Sequence, residues 1–230
     1  MKNKKTLIIG DIHGCFHEFL ALLKKVNYKK ETHRLILLGD IISRGPFSLK
    51  MLNWVKDNKI EMVRGNHEQA FITGFEKNKW ASPSLKKLKE DMKEDLEAWV
   101  EWMSTLPFYI EEKDFLIVHA GLVPNKEPKD TKAFFLMNIR TWDGKGKDIR
   151  NENNPPWYEF YKKKKLVIYG HWAKQGLKLR SNTIGLDSAC VYGNKLSAVL
   201  LPEKSIFQVP ALKNYYLDLL KGSKTPNSKN

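Results

Sequence analysis

Short apolar runs recur along the chain: "TLIIGD" (6–11), "RLILLGD" (34–40), "IEMVRGNHE" (60–68), "DFLIVHAG" (114–121) and "KLVIYGHW" (165–172). Runs of this length bounded by glycine predict strands buried on both faces. "NTIGLD" (182–187) and "KLSAVLLP" (195–202) add two more. Between the first three runs the apolar spacing becomes helical. "HEFLALLKKVNY" (17–28) repeats Phe19, Leu22, Leu23 and Val26, and "FSLKMLNWVKDN" (47–58) repeats Met51, Leu52 and Val55. Strand, helix, strand at about thirty residues per unit predicts βαβ units and an α/β class.

The stretch 82–106 reads as a long helical insert, with Ser82 or Ser84 as N-cap around Pro83. Residues 124–164 are rich in Pro, Asn, Lys and Gly and read as loops with short elements. The last stretch, 220–230, reads as a disordered tail. No repeat or linker divides the chain, so one domain over 1–210 is expected. A length of 230 residues with 42% hydrophobic content suits a single core-bearing domain. No run approaches the length of a membrane-spanning helix, and the basic N-terminus has too short an apolar core for a signal peptide. Cys15 and Cys190 make no disulfide framework and no zinc spacing, which favours a reducing, cytoplasm-like compartment.

The chemistry sits at the ends of the runs. In order they close on Asp11 and His13, Asp40, Asn66 and His67, His119, and His171. In open α/β sheets the functional crevice lies beyond the carboxyl ends of the strands, so these residues are expected at one edge. Four of the six histidines fall there; His17 and His33 read as surface or helix-packing residues. Mixed Asp and Asn oxygen with imidazole nitrogen, and no thiolate, suits manganese, iron or zinc. Asp11, His13 and Asp40 would hold one ion and Asp40, Asn66, His119 and His171 a second, with Asp40 bridging. Two divalent ions against two carboxylates leave surplus positive charge, which attracts phosphate.

The blocks "GDIHG", "GDIISRG", "GNHE", "HAG" and "YGHW" resemble those of metallophosphoesterases in the phosphoprotein phosphatase superfamily. The resemblance runs from about residue 6 to 200. It implies a four-layer α/β/β/α sandwich with a dinuclear site at the carboxyl ends of the strands, and a metal-activated hydroxide that attacks phosphorus. It also implies that Asp11, His13, Asp40, Asn66, His119 and His171 are the metal ligands, with manganese first and iron, zinc or cobalt as other occupants. By the same matching, Arg44 clamps the phosphate and His67 protonates the leaving group. Arg140, in "NIRTWDG", completes the clamp, and Asn66 and Tyr192 contact the substrate.

Ser43 departs from the pattern. Protein Ser/Thr phosphatases carry an aspartate there, which pairs with the catalytic histidine and raises its basicity. Serine carries no charge, so His67 is a weaker acid catalyst, which favours a phosphoanhydride over a phosphoserine. The wider match, including "HAGLVPN", "VIYGHWAKQGL" and "TIGLDSACVYGNKLSAVLLP", is more similar to symmetrical diadenosine tetraphosphatases and their relatives. The expected substrate is therefore a dinucleoside polyphosphate or a nucleotide cap. Two alternatives stand beside it: a Ser/Thr or Tyr phosphoprotein phosphatase, and a non-catalytic module that binds RNA or a phosphoprotein. The net charge of +14 leaves RNA open as a partner, although solvated lysine runs account for much of it. Asp187 reads as either a supporting carboxylate or a turn residue. Trp142, Trp157, Tyr158 and Trp172 read mainly as packing residues that also have the chemistry to stack on a base.

Overall fold

The computed structural model describes residues 4–222. The first sheet is built from β1 (Lys5–Ile9), β2 (His33–Leu37), β3 (Glu61–Met62), β9 (Lys195–Leu201) and β10 (Ser205–Pro210). Their order is β10-β9-β1-β2-β3; β1, β2 and β3 run parallel, and β9 and β10 extend the sheet antiparallel. The second sheet contains β4 (Tyr109–Glu111), β5 (Phe115–Val118), β6 (Leu166–Tyr169), β7 (Lys178–Leu179) and β8 (Thr183–Gly185). Its order is β4-β5-β6-β8-β7, with β5, β6 and β8 parallel and the two edge strands antiparallel.

Alternation along the strands sets the layers. Ile8, Ile36, Leu38 and Val63 of the first sheet meet Ile117, Ile168, Ile184 and Leu186 of the second in a central core. The intervening Leu7, Ile9, Leu35 and Leu37 face outward and bury under helices. Those helices are α1 (Phe16–Val26), α2 (Ser48–Asp57), α3 (Asn66–Glu76), α4 (Pro83–Met92), α5 (Leu96–Ser104) and α7 (Tyr215–Gly222). Over the second sheet lie α6 (Ala133–Asn138) and the buried rings of Trp157 and Tyr158. The result is the four-layer α/β/β/α sandwich.

The third run is less of a strand than its pattern predicts. Only Glu61 and Met62 pair with β2, because the chain turns at Gly65 and Asn66 begins α3. The insert is also two helices rather than one. Lys93, at φ 50°, breaks it, so the stripe of Leu85, Leu88 and Met92 and that of Trp99, Val100 and Met103 both join the core between the first sheet and its helices. Ser82 caps α4 as expected, its Oγ accepting from Leu85 N–H. β10 and α7 had no clear signal in the sequence. Leu220 lies in α7, so the predicted disordered tail does not begin at 220; positions 223–230 of it fall outside the described residues. No described helix is long and apolar enough to cross a membrane.

Candidate dimetal site

Each run ending meets the others at one edge of the sandwich. Asp11 and His13 follow β1, Asp40 follows β2, Asn66 and His67 open α3, His119 follows β5 and His171 follows β6. Asp40 is the hub: its Oδ2 lies 3.5 Å from His119 Nε2, 3.7 Å from His13 Nε2 and 4.0 Å from His67 Nε2. Two groups whose ligand atoms lie within 4.8 Å of one another share it, His13–Asp40–His67 and Asp40–His119–His171. Asn66 joins the second, with Oδ1 3.0 Å from His119 Nε2 and 2.7 Å from His171 Nδ1. The sequence grouped Asp11 with His13 and Asp40. In the structure His67 stands beside that pair, and Asp11 adjoins through its oxygens, which accept the His171 N–H at 3.1 Å.

The backbone is strained to achieve this. Among the described residues twelve non-glycine positions have positive φ, and six belong here: His13, Asp40, Ser43, Arg44, His171 and Ala189. Such conformations cost about 1–3 kcal/mol each and persist only when their surroundings dictate them. Glu68 supplies much of that constraint. Its buried carboxylate accepts the N–H groups of Asp40 (2.8 Å), Ile41 (3.0 Å) and Gly65 (2.9 Å), tying the end of β2 to the start of α3. The α3 N-terminus in turn donates His67 N–H to Asp40 Oδ1 at 2.8 Å, where the helix dipole favours a carboxylate. Glycine is required beside both carboxylates. A Cβ on Gly65 would lie 2.2 Å from Asp40 Oδ1, and one on Gly170 would lie 2.0 Å from Asp11 Oδ1.

The donor set fits divalent cations. His13 Nδ1 donates to Ile42 C=O (2.9 Å) and His119 Nδ1 lies against Leu38 C=O (2.7 Å), so each ring turns its Nε2 toward the cluster. Burial first, and then neighbouring positive charge, holds His13 and His171 well below the usual imidazole range, in the neutral form that ligates metal. Burial and the nearby Asp187 hold Asp11 well above the usual carboxylate range. Burial opposes ionisation of Asp40 too, but His119 and His67 outweigh it and keep Asp40 well below that range. A buried acidic pair of this kind calls for positive charge between its members. His171 Nε2 is buried and has no hydrogen-bond partner among the described residues.

Around the cluster lie the expected substrate contacts. Arg44 Nη1 donates to His13 Nε2 at 2.9 Å, and its guanidinium lies 5.5 Å from the ring centre of Tyr192 and 6.0 Å from that of Tyr216. Arg140 lines a cleft together with Tyr192 and Ala189, and burial, then the charge of Arg150, holds its guanidinium below the usual arginine range. Asp187 is buried, accepts Ala189 N–H at 3.1 Å, and is pushed up to about 6 by burial. It therefore serves the turn and borders the site at once. Trp157 and Tyr158 are core residues, and Trp142 packs on the same core.

Among the described residues Ser43 makes no hydrogen bond to His67. Its Oγ shares a hydrogen bond with Ser84 Oγ at 2.9 Å, and Ser84 meets Ser82 at 3.1 Å, so the insert takes up the hydroxyl. His67 Nδ1 is buried and finds no partner among the described residues. Burial holds the His67 ring down at about 4. Sequence reasoning missed Glu68 and Tyr216, and named Ser84 only as a candidate N-cap. Glu68 carried a signal, since Gly-x-x-Glu before a helix has the spacing of a capping box. Tyr216 carried none, because it lies between the expected domain, 1–210, and the expected tail, 220–230, in a stretch with no assigned element.

A strained edge that gathers imidazole, carboxylate and amide groups over two mixed sheets defines a metal-dependent hydrolase of phosphoric esters or anhydrides. Residues 4–175 match the calcineurin-like phosphoesterases, and the chain belongs to that family, whose members use a dinuclear divalent metal site. It is 29% identical to a symmetrical bis(5'-nucleosyl)-tetraphosphatase of Aromatoleum aromaticum, over 89% of this chain and 96% of that protein. It is 30% identical to the asymmetrical bis(5'-nucleosyl)-tetraphosphatase PrpE of Oceanobacillus iheyensis, over 89% and 92%. A crystal structure of a candidate diadenosine tetraphosphatase superposes with a TM-score of 0.81 at 29% identity, covering 91% of this chain and 95% of that one. A Saccharomyces cerevisiae serine/threonine phosphatase shares the fold at 17% identity, with a TM-score of 0.63 over 90% of this chain and 79% of that one.

Proposed function

We propose that this chain hydrolyses a phosphoanhydride bond in a dinucleoside polyphosphate such as diadenosine tetraphosphate, or in a similarly built nucleotide cap. The observation that carries this reading is the isolated His67 Nδ1, with Ser43 bonded to Ser84 instead of to the ring. An acid catalyst with no carboxylate behind it suits a leaving group that departs readily as a phosphate anion. The names of the relatives support the same substrate class.

Asp11, His13 and Asp40 would hold one divalent ion and Asp40, Asn66, His119 and His171 the other, with manganese first and iron, zinc or cobalt as alternatives. The ions supply Lewis-acid polarisation of the phosphoryl group and an activated water. The chain's own residues do the rest. Arg44 and Arg140 present planar guanidinium groups to phosphoryl oxygens, a geometry that lysine lacks. Tyr192 and Tyr216 hold the Arg44 head from its sides. Asn66, at the start of α3, would contact both the ions and the phosphate; its Oδ1, 3.0 Å from His119 Nε2, supports that role. His67 Nε2 delivers a proton to the departing oxygen. Cys15 and Cys190 are both free and buried, in keeping with a reducing cytoplasm. RNA as a partner gains no support from the relatives.

The test is turnover of diadenosine tetraphosphate with added manganese, with the nucleotide products separated by chromatography. Steady conversion, abolished by a chelator and restored by the ion, is the expected result. An untouched dinucleotide beside rapid phosphopeptide hydrolysis would move the chain to the phosphoprotein phosphatases.

A further inference from the structure

Six of the seven tryptophans pack against another aromatic ring and join a hydrophobic core: Trp54, Trp80, Trp99, Trp102, Trp142 and Trp157. Among the described residues Trp172 does neither. It is half-buried and lines a cleft of about 380 Å3 together with Arg140, Glu152, Lys174 and Tyr192. That volume falls in the range of small-molecule sites, roughly 300–1,000 Å3. Trp172 Nε1 is shielded from solvent, so the surface that the indole offers the cleft is ring carbon. The main chain at Trp172 is fixed on both sides. Trp172 N–H donates to Gly170 C=O at 2.9 Å, and Gln175 N–H donates to Trp172 C=O at 2.9 Å.

The rest of the lining restricts the occupant. Trp172 follows His171 directly, so a group lying on it would be joined through a short link to a phosphate at the cluster. Arg140 supplies positive charge for that link. Glu152 pairs with Lys174. A carboxylate there disfavours further phosphate but accepts hydrogen bonds from hydroxyl or amine groups. A flat ring, a neutral body with donors and an anionic link together describe a nucleoside phosphate. We propose that this cleft seats one nucleoside of the substrate, with its base flat on Trp172 and its ribose hydroxyls or exocyclic amine donating to Glu152. The proposal rests on the dinucleotide reading given above.

Two measurements test it. The first uses protein labelled with 5-fluorotryptophan, with the Trp172 line identified as the one that disappears in Trp172→Phe. Titration with ADP should shift that line saturably, while inorganic pyrophosphate should leave it in place. A Trp172 line unmoved by ADP, or moved equally by pyrophosphate, overturns the subsite. The second is kinetic. Trp172→Ala should raise KM for diadenosine tetraphosphate about tenfold, the size expected for one lost base stack, and Trp172→Phe should recover most of it. An unchanged KM in Trp172→Ala overturns the proposal. If the wild-type enzyme leaves the dinucleotide intact, the proposed function fails, and the ADP titration still decides the subsite independently.

Discussion

At the residue scale, the contact between Ser43 and Ser84 determines what His67 can do. With an aspartate at position 43, an anionic partner would stand near the imidazole and favour its protonated form. Ser43→Asp is therefore expected to raise kcat/KM on a phosphoserine peptide several-fold relative to diadenosine tetraphosphate. Aspartate tolerates the positive φ of 73° found there better than most residues do. Steady-state kinetics on the two substrates measure that ratio, and an unchanged ratio contradicts the account. His67→Ala should show the same logic in reverse. General acid catalysis is worth about 10²–10⁴ where the leaving group is poor, so the phosphopeptide rate should fall by that much and the anhydride rate by less than about tenfold. Equal losses on both substrates would count against His67 as proton donor. The strand-end residues were legible in the sequence because they lay at or within two residues of a glycine at the close of an apolar run. The Ser43–Ser84 bond was not, since it joins segments forty-one residues apart.

At the element scale, the turns after β2 and before α3 form one unit, and Glu68 holds it together. Removing its carboxylate leaves three buried N–H groups without an acceptor, each costing about 1–3 kcal/mol. Glu68→Ala should therefore lower unfolding free energy by about 3 kcal/mol or more in urea titration, although Glu68 carries no proposed catalytic role. A loss under about 1 kcal/mol would mean that these turns hold themselves. A second device orders the loop after Arg140. Asp143 accepts the N–H groups of Lys145, Gly146, Lys147 and Asp148, and these bonds bring its carboxyl down to about 2. A depressed carboxylate contributes order that is present above its unfolded value of 3.8 and is lost as pH falls through about 2. Amide exchange at 145–148 should accordingly lose protection relative to the rest of the fold across that window. Asp143→Asn should show the weakened protection already at neutral pH. Strands and the first two helices were readable from periodicity. The break at Lys93 and the brevity of β3 were not, because both depend on where the core lies rather than on local pattern.

At the scale of the whole molecule, two sheets share a central apolar layer, and the parallel strands deliver all the proposed ligands to one edge. The sheet stacking was legible only through the resemblance of the motif blocks, because periodicity predicts strands without saying how sheets pair. A net charge of +14 gives the molecule as a whole a positive field, which speeds arrival of a polyanion and weakens with ionic strength. For diadenosine tetraphosphate, kcat/KM should fall several-fold between about 0.02 M and about 0.3 M salt, mainly through association. A flat salt profile would show that the surface lysines do not steer the substrate.

The most direct measurement is the ratio of kcat/KM for diadenosine tetraphosphate to that for a phosphoserine peptide, taken on the wild-type enzyme with manganese at one pH. An anhydride-cleaving site with no carboxylate behind His67 predicts a ratio far above one, with nucleotide products only. A ratio below one, with the dinucleotide intact, would contradict the account at its centre.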